Sequence, residues 1–451
     1  MQQTHISVDT LIEARWVFPA EPDHSTLDNH AVVIHQGKIV DVLPVSESIN
    51  RYDPKQRIVL SNHALIPGLI NLHTHAAMTL MRGLADDLPL MEWLKEHIWP
   101  AEQRHVNETF VYDGTRLACA EMLRGGITCF NDMYFFPEAI AQAVLSAGMR
   151  AMIGMIAIDF PTAYASDADD YLAKGMALRD TLQSEPLLSF SFAPHAPYTV
   201  SDKTFSSILT YAEQLDVPIH LHLHETEDEI RIDQEAHGFR PIERLQQLGL
   251  LSPNLIAVHM IHLNESDIKL IKRNGCNIVH CPSSNLKLAS GFAPVAIYLD
   301  SGINVGLGTD SAASNNRLDM FEEMRLAALL AKAVSGKANT LPAYQALQMA
   351  TINGARALGL EEITGSISPG KAADITAIDF SDLNLTPCFD PISHIVYAAN
   401  REHVSHVWVN GKMLVENKQL TTLNLFELQN RTAYWQKRLA TLLPYLDQIT
   451  K

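Results

Sequence analysis

The stretch Leu65-Ile66-Pro67-Gly68-Leu69-Ile70-Asn71-Leu72-His73-Thr74-His75 is an apolar run that ends in two imidazoles. Side chains two apart on a strand point to one face, so both rings can reach one ion. A lone His-x-His carries little weight in a chain with 20 histidines. Its weight comes from company: His222 with Glu225, His259, and Asp310 each close an apolar, strand-like run of their own.

Eight such runs lie along the chain, at residues 65–73, 126–132, 150–157, 188–194, 218–223, 255–259, 277–281 and 304–308. Segments of helical periodicity separate them, at 108–124, 201–215 and 265–273 among others, with Gly125 and Gly275 where C-terminal caps fall. Strands alternating with helices predict a parallel α/β architecture, and eight of them predict a closed (β/α)8 TIM-like barrel. In such barrels the reacting groups sit at strand C-terminal ends, which is where the metal-type residues fall. Both chain ends change to β texture, at 9–17, 31–43, 57–61, 373–380 and 403–420, with turns at Gln36-Gly37-Lys38 and Asn410-Gly411-Lys412. These half-sets are expected to pair into one small β-sandwich, followed by an amphipathic helix over 427–446. The expected division is 1–63 and 368–422 for the sandwich, 64–367 for the barrel and 423–451 for the terminal helix.

The 451 residues, 47% hydrophobic and 19% charged, suffice for a large core. A net charge of −17 argues against a nucleic-acid binder, which needs a basic stripe, and suits small uncharged or cationic substrates. No apolar run approaches the roughly 18–20 residues of a membrane span, and the N-terminus has no signal-peptide pattern, so a cytoplasmic protein without membrane partners is expected. The five cysteines form no C-x-x-C and read as packing residues of a reducing compartment.

Three neutral imidazoles and a carboxylate around an ion with an open position describe a catalytic divalent site, where the pKa of bound water falls to about 7. Hydrolysis or hydrolytic deamination of a small molecule is the reaction class this permits. On strict alternation His220, His222 and His224 share one face, so spacing alone leaves the choice among them open. Glu225 reads either as an acid/base beside the ion or as a solvated loop acid, because Glu227, Asp228 and Glu229 follow it. Asp310 is suited to bind the ion and to accept a proton, and His259 to be a fourth ligand or a partner of the attacking hydroxide. His97, His105, His262 and His280 read as structural or surface residues. No lysine ends the run 188–194, which favours one metal over a lysine-bridged pair, and no P-C-x-x-C motif supports a small cysteine-based zinc site.

The segments 69–94 (LINLHTHAAMTLMRGLADDLPLMEWL), 192–198 (FAPHAPY), 222–226 (HLHET), 258–263 (VHMIHL), 283–295 (SSNLKLASGFAPV) and 307–316 (LGTDSAASNN) resemble, in order and spacing, the motifs of the amidohydrolase superfamily. Within it the resemblance is to the 5-methylthioadenosine/S-adenosylhomocysteine deaminases. It implies one divalent metal per subunit, zinc with iron(II) or manganese as alternatives, and hydrolytic loss of the 6-amino group of an adenosine-type nucleoside. Carried onto matching positions, it makes His73, His75, His222 and Asp310 the ligands, Glu225 the acid that protonates the purine, and His259 the residue that steers the hydroxide. Trp93 would lie near the purine, Glu102 would grip the ribose hydroxyls and His195 would be a further nucleoside contact. Relatives that accept the homocysteine tail are expected to carry an arginine after the third strand, where this chain has Met155 and no arginine before Arg179. The resemblance with that departure implies an apolar 5′ pocket that prefers methylthioadenosine, accepts adenosine and handles S-adenosylhomocysteine poorly. The alternatives are a hydrolase of guanine or an s-triazine and, more remotely, a non-catalytic scaffold barrel; a homo-oligomer is compatible with every one of them.

Overall fold

A computed structural model describes residues 5–21 and 25–440. The N-terminal part supplies β1 (Ile6–Val17), β2 (Leu27–His35), β3 (Lys38–Pro44) and β4 (Tyr52–Pro67). Eight parallel strands follow: β5 (Leu69–Thr74), β6 (Ile127–Asp132), β7 (Arg150–Ala157), β8 (Leu188–Pro194), β9 (Ile219–Leu223), β10 (Leu255–His259), β11 (Asn277–His280) and β12 (Val305–Leu307). The C-terminal part returns with β13 (Ile375–Asp379), β14 (Val404–Val409), β15 (Lys412–Glu416) and β16 (Gln419–Leu420).

β5 to β12 pair in sequence order with helices between them, and the first and last strands close the ring. Across that seam the Asp310 amide donates to the His73 carbonyl (3.0 Å) and the Thr309 amide to the Asn71 side chain (2.9 Å). Gly308 makes the approach feasible, since a Cβ there would lie 2.9 Å from the His73 nitrogen. Ile70, Cys129, Met152, Ile256, Val258 and Val279, from five of the strands, form one buried apolar cluster. The expected (β/α)8 barrel is the architecture observed.

The chain ends form a second sheet in the order β16-β15-β14-β13-β4-β1-β2-β3. It curls back on itself: Gly37 in the β2–β3 turn accepts from the Ala373 amide (2.8 Å), and a Cβ on it would lie 2.8 Å from the Asn410 carbonyl of the β14–β15 turn. Those turns belong to strands that are not neighbours in the sheet, so the sheet encloses its own core of Ile12, Val32, Ile34, Ile375, Ala377 and Trp408. This is the sandwich expected of the two ends.

Local boundaries differ in one instructive place. The run 65–73 is not a single strand, because residues 65–67 end β4 and pair with β13 before the chain crosses to the barrel at Gly68. A Cβ on Gly68 would sit 2.0 Å from Thr128 Oγ1, so the crossing requires glycine. A continuous apolar run has no period from which that break could be read. The terminal helix spans Leu425–Leu439, anchored by Trp435 Nε1 donating to Asp113 (2.8 Å); residues 441–446 of the expected helix lie outside the described residues. Among the described residues no helix is long and apolar enough to cross a membrane.

Candidate active site

The C-terminal ends of β5, β9, β10 and β12 converge on one cavity of about 730 Å³. His73 and His75 end or just follow β5, His222 lies in β9, and Asp310 follows β12. Their nearest ligand atoms all lie within 4.8 Å of one another. Asp310 Oδ1 is 3.4 Å from both His73 Nε2 and His75 Nε2, and His222 Nε2 is 3.3 Å from His75 Nε2.

The opposite ring nitrogens are already engaged. His75 Nδ1 donates to the Met133 carbonyl (2.5 Å), His222 Nδ1 to the His195 carbonyl (2.7 Å), and His73 Nδ1 lies 2.9 Å from His220 Nε2. For His75 and His222, whose Nδ1 faces a carbonyl, these contacts fix the tautomer that leaves Nε2 with a free lone pair. His73 Nε2 is buried and has no hydrogen-bond partner, a costly state for a polar atom unless an ion takes its lone pair. Burial holds His73 down to about 4 and His222 well below the usual imidazole range, so both rings stay neutral, the form that ligates. Burial would raise Asp310, but the His73 contact and the neighbouring imidazoles outweigh it and hold the carboxyl ionised. The four side chains therefore form a group that could hold a divalent metal ion, the one such group found among the described residues.

Around it stand further titratable and polar groups. Glu225 Oε2 lies 3.8 Å from His259 Nε2, whose Nδ1 is held by Asn285 Oδ1 (2.8 Å). Burial pushes the Glu225 carboxyl up, and His259 opposes this only in part. Ser284 Oγ donates to Asp310 Oδ2 (2.6 Å) and the Ser311 amide to Oδ1 (2.7 Å). Trp93, in a π-helical turn over Trp93–Ile98, joins Glu102 and His195 in the cavity wall. Tyr134 donates to Glu102 Oε1 (2.8 Å); burial nevertheless pushes Glu102 up to about 7.

The structure separates the three histidines of β9 and its loop. His222 reaches the ligand group and His220 supports His73 from behind. His224 turns away to accept from the Ile242 amide (3.2 Å) and to pair with the His262 carbonyl (3.0 Å). One expected contact is corrected: Met155 does not line the cavity. It is fully buried against Gly175 in the helix Ala168–Leu182, while the next residue in β7, Ile156, faces the cavity. Alternation along the strand puts neighbouring residues on opposite faces, so only one of the two can point inward.

Several residues here escaped sequence reading. Ser284 and Asn285 sit in the Ser283-Ser284-Asn285 segment just after β11, a position that could have marked them. Tyr134 follows β6 in the same way. Glu229, given no role in the sequence reading, is 3% exposed, and burial pushes it up to about 8. Nothing in the local sequence distinguishes it from Glu227 and Asp228.

A family model described as the amidohydrolase family matches residues 64–414. The chain is 48% identical over 433 residues to the 5-methylthioadenosine/S-adenosylhomocysteine deaminase of Teredinibacter turnerae, covering 96% of this chain and 98% of that one. It is 42% identical over 422 residues to the 5′-deoxyadenosine deaminase of Methanosarcina barkeri, covering 92% and 95%. A crystal structure of an adenosine deaminase from Xanthomonas campestris with bound zinc superposes with a TM-score of 0.96 at 47% identity, over 97% of this chain and all (100%) of the other. An atrazine chlorohydrolase from Arthrobacter aurescens shares the fold at 24% identity, with a TM-score of 0.88 over 95% of this chain and 100% of its own.

Proposed function

The chain belongs to the amidohydrolase family and is a hydrolase of C–N bonds, and on that premise we propose that it deaminates 5′-methylthioadenosine and, less selectively, adenosine to the inosine analogues and ammonia. The observation that carries the reading is the meeting of His73, His75, His222 and Asp310 with Glu225 and His259 at one end of a cavity large enough for a nucleoside. The ion proposed is zinc, which three imidazoles and a carboxylate with an open position suit, and which the Xanthomonas relative holds.

A divalent ion there supplies the Lewis acidity that lets water attack at neutral pH. Asp310 takes one proton from the attacking water. Glu225, whose carboxyl burial pushes above the ordinary range, gives a proton to purine N1 as the C6–O bond forms, so negative charge does not build up on the ring. His259, with Nδ1 fixed on Asn285, presents Nε2 to the incoming oxygen. Asp310 then passes its proton to the amino group, ammonia leaves, and the proton remaining on the C6 oxygen restores Glu225 as the carbonyl forms.

Trp93 and His195 are assigned to the base and nucleoside, and Glu102 to the ribose hydroxyls. Phe136, Phe160, Pro161 and Tyr164 would then wall the 5′ end. No arginine lines the cavity among the described residues, and Lys95 is its one lysine, so a methylthio group suits this end better than a homocysteine zwitterion. Five unpaired cysteines support a reducing, cytoplasmic setting.

The test is the fall in adenosine-type ultraviolet absorbance when zinc-loaded protein meets methylthioadenosine, repeated with Glu225→Gln. Conversion to the inosine product that drops about 10²- to 10⁴-fold in the variant is expected. No conversion by the wild type would refute the substrate and direct the search to guanine and triazines.

A further inference from the structure

Glu225 can serve as an acid only if the loop after β9 aims it at the cavity, and the backbone makes that aim difficult. The preceding residue, His224, has φ +55°, a left-handed conformation that a non-glycine residue adopts at a cost. Its side chain points away to Ile242 and His262, so it does not itself hold Glu225 in place. What closes the turn is a side chain from the next helix, Glu227–His237. One oxygen of Glu229 accepts from the His224 amide (2.8 Å) and the other from the Glu225 amide (2.8 Å). The Glu229 backbone amide is capped in turn by Thr226 Oγ1 (3.2 Å). Thus the carboxyl clamps both residues of the turn while its own backbone is tied to the residue after them.

We propose that Glu229 is a positioning residue for the reaction: its carboxyl, bridging the amides of His224 and Glu225, holds the left-handed turn that delivers Glu225 to the substrate. This rests on the deaminase reading of the same site. A helix cap alone would not need this arrangement, because Thr226 already caps Glu227–His237. Two adjacent amides on the two oxygens of one buried carboxyl fix both position and rotation of the peptide between them, which a single bond could not. Glutamine cannot reproduce this, since its amide nitrogen would face one of the two N–H groups as a second donor.

The test is a double-mutant cycle in the zinc-loaded full chain, with Glu229→Gln, Glu225→Gln and the pair, read as kcat and KM for methylthioadenosine together with bound metal per chain. Misplacing an acid by about 1 Å costs on the order of 100-fold. Glu229→Gln is therefore expected to lower kcat by roughly 10- to 100-fold, with KM and metal content near wild type. In the Glu225→Gln background the same substitution should cost less than about threefold, because the group it positions is already lost. Equal losses in both backgrounds, or wild-type kcat in Glu229→Gln, would overturn the proposal while leaving the deaminase reading intact. An inactive wild type would overturn that reading and this proposal with it. If Glu229→Gln fails to fold, Glu229→Asp, which keeps the carboxyl but shortens the reach, replaces it in the same cycle and is judged by the same two outcomes.

Discussion

Removing the Glu102 carboxyl should expose whether the cavity is built for a ribose. Tyr134 occupies Oε1 at 2.8 Å, which leaves Oε2 to receive a hydroxyl of the sugar. A hydrogen bond to a charged group contributes about 1.5–3 kcal/mol, so Glu102→Ala should lower kcat/KM for adenosine and methylthioadenosine by about 10- to 150-fold. The sugar is remote from C6, so the loss should appear mainly in KM. The control lies in the substrate: 2′,3′-dideoxyadenosine lacks both hydroxyls and should be turned over nearly equally by wild type and variant. The acid limb of the pH profile gives an independent check. Burial pushes Glu102 up to about 7, and the ionised form accepts the hydroxyls. In the wild type kcat/KM for ribonucleosides should therefore fall as pH drops below about 7, while in Glu102→Gln this component should be flat. Equal losses for the ribo- and dideoxynucleosides, or no loss for either, would refute the ribose assignment and favour a substrate without a sugar.

Three further outcomes follow from the same geometry. Stripping divalent ions with a chelator should abolish turnover and lower Tm, because ligands from the ends of β5, β9 and β12 lose their common partner, and added zinc should restore both; an unchanged Tm and activity would refute the metal site. Methylthioadenosine should exceed S-adenosylhomocysteine in kcat/KM by about 10- to 150-fold, the worth of one unmade charge-assisted hydrogen bond, and comparable values would show that a cation reaches the tail after all. Gly68→Ala should destabilise the fold by about 1–3 kcal/mol in chemical denaturation, because its Cβ would meet Thr128 Oγ1 at 2.0 Å; wild-type stability would mean that the crossing between sheets is not tightly packed.

The barrel was legible because its signal is repeated: eight apolar runs separated by helical periods leave few architectures. The candidate ligand group was legible in part for a chemical reason, since histidines and a carboxylate that close buried strands have few other uses, while the choice of His222 over its neighbours came from the family resemblance. The failures have different physical origins. Gly68 falls inside an unbroken apolar run, and apolarity alone does not say which of two sheets a residue joins. Met155 was assigned by its place in the chain, whereas the face of β7 decides what a residue touches, and one step along the strand reverses it. Glu229 was hidden because burial of a carboxyl depends on tertiary partners, here two amides that precede it by four and five residues.

The ambiguity among His220, His222 and His224 has a deeper cause, and it bears on how the site works. Strict alternation assumes extended backbone throughout, but the chain turns left-handed at His224 (φ +55°), His259 (φ +74°) and Asp310 (φ +61°), three residues at or just after barrel strand ends, of which His259 and Asp310 line the cavity. Each such non-glycine residue costs about 1–3 kcal/mol and persists only where its surroundings overdetermine it. They do so here: Glu229 holds the amides of His224 and Glu225, Asn285 holds the His259 ring, and the Asp310 amide is bonded to His73 across the barrel seam. The bond that closes the barrel thus also fixes the backbone of Asp310, the carboxylate of the candidate metal group. An acid placed by extended geometry after His222 would follow the face of the strand; the left-handed turn instead re-aims Glu225 toward His259, close enough to the ligand group to share one substrate. The position of the acid is consequently a property of the backbone and of the groups that clamp it, and its chemistry should fail when those groups are removed even though Glu225 itself remains.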